Sequence, residues 1–283
     1  LRELAGTVNP AYEVAPEITV TVPPTTNSVT VRNNEKVGNV EVTKETVGNK
    51  NISGIQLKLY GTSDSGRMIN QIKATDKNGR ADFTNIPIGT YTISEVGSTV
   101  NIAYLVANDQ TTKVTYGNTN KVTFTNVEKT GDVVVSKTTE GMVNVEGIDL
   151  ELYGTSDSGR EISVIETTDE NGIATFENIA IGTYKIREVD ETVDMAYLVA
   201  DEQDVTVVYA ETVEIEFLND EKTGDVVVSK TTEGMINVEG IDLELYGLSD
   251  SGREISVIKT TDENGIATFE NIAIGTYKIR EVD

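Results

Sequence analysis

The chain has 283 residues, 47 of them acidic and 23 basic, for a net charge of −24. That charge repels a nucleic-acid phosphate backbone or an anionic membrane surface, so neither is expected as a partner. The chain has no cysteine and no histidine, so it lacks disulfides, the commonest metal ligand and the commonest general base at neutral pH, which argues against catalytic turnover.

In chain order, residues 1–34 read as the tail of a unit, because Arg2 to Tyr12 matches Arg187 to Tyr197, with Glu3 at the place of Glu188 and Asn33 at the place of Asn219. A complete unit follows over 35–127. It contains Val40-x-Val42-x-Lys44, then Gly54 to Gly61, then Tyr91-x-Ile93-x-Glu95, then Val122-x-Phe124-x-Asn126. A second complete unit over 128–220 repeats these as Val133-x-Val135-x-Lys137, Gly147 to Gly154, Tyr184-x-Ile186-x-Glu188 and Ile215-x-Phe217-x-Asn219. The last part, 221–283, repeats the start of a unit, with Lys230 and Glu281 but no asparagine downstream. Shifted by 93 residues, Glu128 to Asp190 superimposes on Glu221 to Asp283 with three changes. This is a tandem array.

Short alternating stretches separated by turn signals such as Thr168-Asp169-Glu170-Asn171-Gly172 predict all-β units. About seven strands in each read as an Ig-like two-sheet sandwich. Connectors as short as Glu128 to Gly131 predict units placed end to end as a rod. The end fragments suit a window cut from a longer array better than strand exchange between head-to-tail copies, since 1–5 and 279–283 represent the same five positions. Nothing approaches a membrane span of roughly 18 apolar residues, and the first residues are no signal peptide.

The two-residue period places Lys44, Glu95 and Asn126 where inward apolar side chains belong, and Lys137, Glu188 and Asn219 likewise. Such groups are costly to bury unless they interact. Lysine to glutamate is 51 residues and glutamate to asparagine 31 in both units. A buried hydrogen-bonded salt bridge, or a lysine snorkelling at a sheet edge, is the plainer alternative to covalent chemistry.

The succession V-x-V-x-K, G-I-x-L-x-L-Y-G, T-D-x-N-G, F-x-N-I-x-I-G-T-Y-x-I-x-E and F-x-N resembles the Cna B-type (prealbumin-like, SpaA-type) repeat of Gram-positive surface proteins and pilins. The resemblance implies an intramolecular isopeptide bond between Lys44 and Asn126 and between Lys137 and Asn219, assisted by Glu95 and Glu188. Desolvation favours a neutral amine and a protonated carboxyl, which suits attack of the one and polarisation by the other. The sets Lys230 with Glu281, and Glu3 with Asn33, each lack a member, so no bond is expected there unless a neighbouring chain supplies one. Any such reaction happens once per site, so the chain is not expected to be an enzyme.

Other features read plainly. The acidic loops Ser63 to Gly66, Asp157 to Gly159 and Asp169 to Gly172 lack the ligand spacing of a calcium loop and read as turns, so no metal or cofactor is expected. Asn51-Ile52-Ser53 is a chance glycosylation match. Tyr12, Tyr104 and Tyr197, repeated in every unit, read as packing residues.

By resemblance the chain is a stalk or fibre shaft outside the cell, on the wall, cell or spore surface of a Gram-positive bacterium. Its partners are neighbouring repeats, with a host ligand only at an unseen tip. Neither L-P-x-T-G nor Y-P-K occurs in it, so sortase polymerisation has no support here. The alternative is an adhesin module that binds a host protein or glycan directly.

Overall fold

The computed structural model describes residues 1–141, 143, 145–234, 236 and 238–282, so the last position of the fourth predicted segment lies outside the described residues. The chain divides into two compact units, Leu1–Lys129 and Thr130–Asp283. It is all β apart from four short 3-10 turns among the described residues, and no helix is long and apolar enough to cross a membrane.

In the first unit, seven strands form after residue 36: β1 (Val37–Thr46), β2 (Gln56–Thr62), β3 (Met68–Ala74), β4 (Arg80–Pro87), β5 (Gly89–Glu95), β6 (Gln110–Val114) and β7 (Thr119–Asn126). They make two sheets, of order β4-β1-β7 and β3-β2-β5-β6. Alternate residues of both sheets face one another. Val40, Val42, Leu57, Leu59, Phe83 and Phe124 are fully buried between them, each contributing about 1.5–3 kcal/mol by leaving water. The turns are made by short polar side chains. Asp76 Oδ1 accepts the N–H groups of Asn78 and Arg80, at 2.8 and 2.9 Å, which closes the β3–β4 turn and spends the carboxylate on its own backbone.

The decisive feature of this topology is that β1 runs parallel to β7, with Lys44 opposite Phe124 and Thr46 opposite Asn126. The first and last strands are therefore neighbours in one sheet. A parallel pair cannot be joined by a tight hairpin, so everything between the two strands lies in the loop they close.

The second unit contains the same seven strands: β8 (Thr130–Thr139), β9 (Asp149–Thr155), β10 (Glu161–Thr167), β11 (Ile173–Ala180), β12 (Gly182–Glu188), β13 (Gln203–Val207) and β14 (Thr212–Asn219). The sheets are β11-β8-β14 and β10-β9-β12-β13, and β8 is parallel to β14. Five further strands follow: β15 (Thr223–Ser229), β16 (Asp242–Ser249), β17 (Glu254–Thr260), β18 (Ile266–Ala273) and β19 (Gly275–Glu281). They pair as β15-β18 and β17-β16-β19 around Leu243, Leu245 and Phe269.

Residues 1–34 form no strand. They are held by local bonds, by a bridge from Tyr12 to Glu35 and by a hydrogen bond from the Lys36 N–H to the Ala11 carbonyl at 2.8 Å.

Candidate functional site

Strict alternation in β1 turns Gly38, Val40, Val42, Lys44 and Thr46 inward. Lys44 takes the next inward place after two valines, and only 1 % of it is exposed. Glu95 ends β5 in the opposite sheet and Asn126 ends β7 beside β1, so three strand ends converge on one spot. Lys44 Nζ contacts Asn126 Oδ1, lies 3.4 Å from Glu95 Oε1, and donates to the carbonyls of Glu45 and Phe124 at 2.8 and 3.1 Å. Asn126 Nδ2 donates to Glu95 Oε2 at 3.0 Å. Each member of the set touches the other two.

The second unit brings Lys137, Glu188 and Asn219 to the same strand ends, all almost wholly buried. Lys137 Nζ lies 3.6 Å from Glu188 Oε1 and donates to the Thr138 carbonyl. Asn219 differs from Asn126, because neither of its amide atoms has a hydrogen-bond partner among the described residues.

Burial pushes both lysine amines below the ordinary value, against the opposing pull of the neighbouring glutamate. Desolvation wins because it acts on the whole ammonium group, whereas the ion pair recovers only part of the lost hydration.

One contributor to the site is absent from the predicted set. The backbone N–H of Ala107 donates to Glu95 Oε2 at 2.8 Å, and that of Ala200 does the same for Glu188 at 2.8 Å. One carboxylate oxygen is thus pinned, leaving Oε1 turned to the lysine. The signal was present as the alanine that closes each Ala-Tyr-Leu-Val-Ala stretch, twelve residues after the glutamate, but a backbone donor leaves no mark on residue type. Tyr104 and Tyr197 of the same stretch are buried.

The other two sets behave differently. Lys230 Nζ reaches Glu281 Oε1 at 2.9 Å, with the glutamate side chain 56 % exposed. Glu3 Oε2 accepts from Asn33 Nδ2 at 2.6 Å and from the Ala15 N–H at 2.9 Å. Glu3 and Asn33 line an open cleft of 540 Å³. Each pair keeps the geometry of part of the full set without its third group.

The SpaA prealbumin-like fold domain matches this sequence three times in tandem, at residues 38–128, 131–221 and 224–283. The chain belongs to this family. Two of these repeats therefore carry a buried set, with lysine and asparagine on the strands that open and close the domain and glutamate at the end of a strand in the opposite sheet. No curated protein matches the chain. Among solved structures it is similar to the TIE protein of Bacillus anthracis, at 21 % identity and a TM-score of 0.66, over 89 % of this chain and 46 % of that one. It thus spans about half the length of that protein. A streptococcal ancillary pilin is similar at 16 % identity, TM-score 0.38, over 88 % of this chain and 90 % of that one. GBS52, the minor pilin of Streptococcus agalactiae, is similar at 15 % identity, TM-score 0.34, over 68 % and 100 %. At these identities the likeness is one of fold.

Proposed function

We propose that this chain is a structural segment of a pilus-type or adhesin-stalk appendage, exposed outside a Gram-positive cell, whose complete SpaA repeats are each closed by a Lys–Asn isopeptide bond. The repeats divide at 34/35, 127/128 and 220/221. The observation that carries the reading is the buried contact of Lys44 Nζ with the Asn126 carboxamide, with Glu95 touching both.

The neutral Lys44 amine attacks Asn126 Cγ, and the Asn126 oxygen takes negative charge in the tetrahedral intermediate. One proton leaves Nζ and one arrives at Nδ2, both by way of the Glu95 carboxyl, which contacts both nitrogens. The C–Nδ2 bond then breaks and ammonia departs, so a new amide replaces the old one with no change in oxidation state. Lys137 and Asn219 react in the same way once the Asn219 amide turns to Glu188, which lies 3.6 Å from Lys137 Nζ. The lowered lysine pKa supplies the nucleophile.

Energetics favour the product as well. Before reaction the interior holds a buried charged or partly charged pair, which is expensive to keep out of water. Afterwards it holds a neutral amide and a carboxyl pinned by a backbone N–H. In the second repeat the unpartnered Asn219 amide, which costs about 1–3 kcal/mol as a buried unsatisfied group, is consumed.

Because β1 and β7 are adjacent, the bond would tie the first strand to the last and carry tension past the residues between them. Neighbouring repeats are the partners this role requires.

Intact-mass measurement of the chain tests the reading. Each bond removes one ammonia, about 17 Da, so the chain is expected about 34 Da light for two complete sets. Replacing Glu188 with alanine is expected to halve the deficit by leaving Lys137 unreacted. A parent chain at its full sequence mass overturns the covalent reading.

A further inference from the structure

The turn at Ser63–Arg67 does more than reverse the chain. Ser63 Oγ meets Ser65 Oγ at 2.8 Å and accepts the Arg67 N–H at 3.0 Å, which holds the two hydroxyls and the guanidinium on one side of the loop. Facing them is Glu35. Ser65 donates to its Oε1, and Arg67 Nη2 lies 2.6 Å from its Oε2.

In the second unit Ser249–Arg253 builds the same arrangement, with the serine oxygens 2.6 Å apart and the Arg253 N–H 3.0 Å from Ser249 Oγ. Its occupant is Glu221, whose side chain is only 1 % exposed. Ser251 and Arg253 Nη2 both bond the Glu221 carboxylate, and Arg253 Nε donates to Oε2 at 2.9 Å. Burial raises the Glu221 pKa, but bonds from Arg253 and Ser251 outweigh it and hold the carboxyl below its ordinary value. Arg253 also lies 3.4 Å from Glu140.

Glu221 is the last residue of the second family match, whereas Ser249 to Arg253 lie within the third. The backbone crosses the same boundary. Glu221 bridges Tyr197, the Lys222 N–H donates to Ala196 on one side, and the Lys222 carbonyl accepts from Ile274 on the other, at 2.8 and 2.9 Å. Glu35 and Lys36 repeat every one of these contacts, with Tyr12, Ala11 and Ile88. A carboxylate held by serine hydroxyl and guanidinium donors is a recognised arrangement, and in the second unit Arg253 Nε and Nη2 converge on one oxygen of Glu221.

We propose that the Ser-x-Ser-Gly-Arg loops at Ser63–Arg67 and Ser249–Arg253 are carboxylate sockets for Glu35 and Glu221, the glutamates whose backbones bridge Tyr12 and Tyr197 of the preceding segment, and so fix that segment's orientation on the repeat that follows. The socket uses no member of the buried lysine sets and stands or falls apart from the isopeptide chemistry. Short connectors alone leave relative motion, which is the default for segments that meet over a small interface. An ion pair at the joint, with the Glu35 and Glu221 side chains 20 % and 1 % exposed, restricts that freedom, because swinging the segments apart breaks the charge-assisted bonds that hold the glutamate.

The chain lacks cysteine, so spin labels attach only where cysteine is introduced. Thr175→Cys on β11 and Thr268→Cys on β18 are exposed positions on either side of the Glu221 joint. Electron–electron distance measurement on the full chain is expected to give a narrow distribution in the parent. Arg253→Ala and Glu221→Gln are expected to broaden it about twofold, with faster amide exchange at Lys222 and Ile274 and unchanged exchange inside β16–β19. Unaltered widths in both variants overturn the proposal. So does loss of protection throughout β15–β19, which would assign Glu221 to the stability of the repeat instead of its orientation.

Discussion

At the residue scale, a lysine in a hydrophobic interior is the central fact. Alternation in β1 and β8 leaves Lys44 and Lys137 no outward option, since turning either to solvent would flip the valines before it. Their inward place was legible from sequence, because parity depends only on the period. The amide from Ala107 or Ala200 to the glutamate was not, since backbone donors are common to all residues.

Lowered lysine pKa values also give a pH dependence. In Asn219→Leu, Lys137 stays an amine. Its folded pKa lies below the unfolded one, so between the two values the unfolded chain holds the extra proton and stability rises with pH. The denaturation midpoint of Asn219→Leu is expected to climb as pH rises toward the ordinary lysine value of about 10.4, relative to the same chain carrying Lys137→Met as well. Parallel pH profiles for the two would show that the buried amine is not the cause.

At the element scale, strand ends decide the site. β8 is held at its far end where the Lys137 N–H donates to the Gly172 carbonyl at 2.7 Å. Gly172 has φ +76°, and a Cβ there would fall 2.4 Å from the Lys137 carbonyl oxygen. Gly147, at φ +80°, has open space around it. Gly147→Ala is therefore expected to cost only the backbone term, about 1 kcal/mol, whereas Gly172→Ala adds a clash with backbone and is expected to cost at least about 2–3 kcal/mol. Urea titration of both variants decides it, and equal losses would show that the close approach does not matter.

The Thr-Asp-x-Asn-Gly turns were readable because aspartate side chains cap their own backbone, as Asp76 and Asp169 do. Ser63–Arg67 read as a turn too, and it is one. Its second role depends on Glu35, which lies 30 residues away from Ser65. Turn chemistry is local and the socket is not.

At the scale of the whole molecule, the parallel neighbours β1 and β7, like β8 and β14, make each complete repeat a closed loop, with Asn126 lying 82 positions after Lys44. A covalent tie over such a loop is expected to stabilise the repeat by roughly 4–5 kcal/mol on the chain-entropy account used for disulfides, without sensitivity to reductant. Under force the difference is larger. Single-molecule stretching of Lys44→Ala is expected to show one additional extension of roughly 270–300 Å, the length of about 82 extended residues, that is missing from the parent. An equal extension in the parent would mean that the strand ends are not tied.

The sequence by itself determined the all-β class, the 93-residue period and the inward parity of lysine, glutamate and asparagine, because periodicity and self-similarity are properties of residue order. Only the tertiary structure decided that β1 lies parallel beside β7, that Lys44 meets Asn126 across that pair, and that Glu35 and Glu221 enter serine–arginine sockets. Those facts depend on which distant strands and loops become neighbours, and a pairing of sheets brings together residues that no local pattern can join.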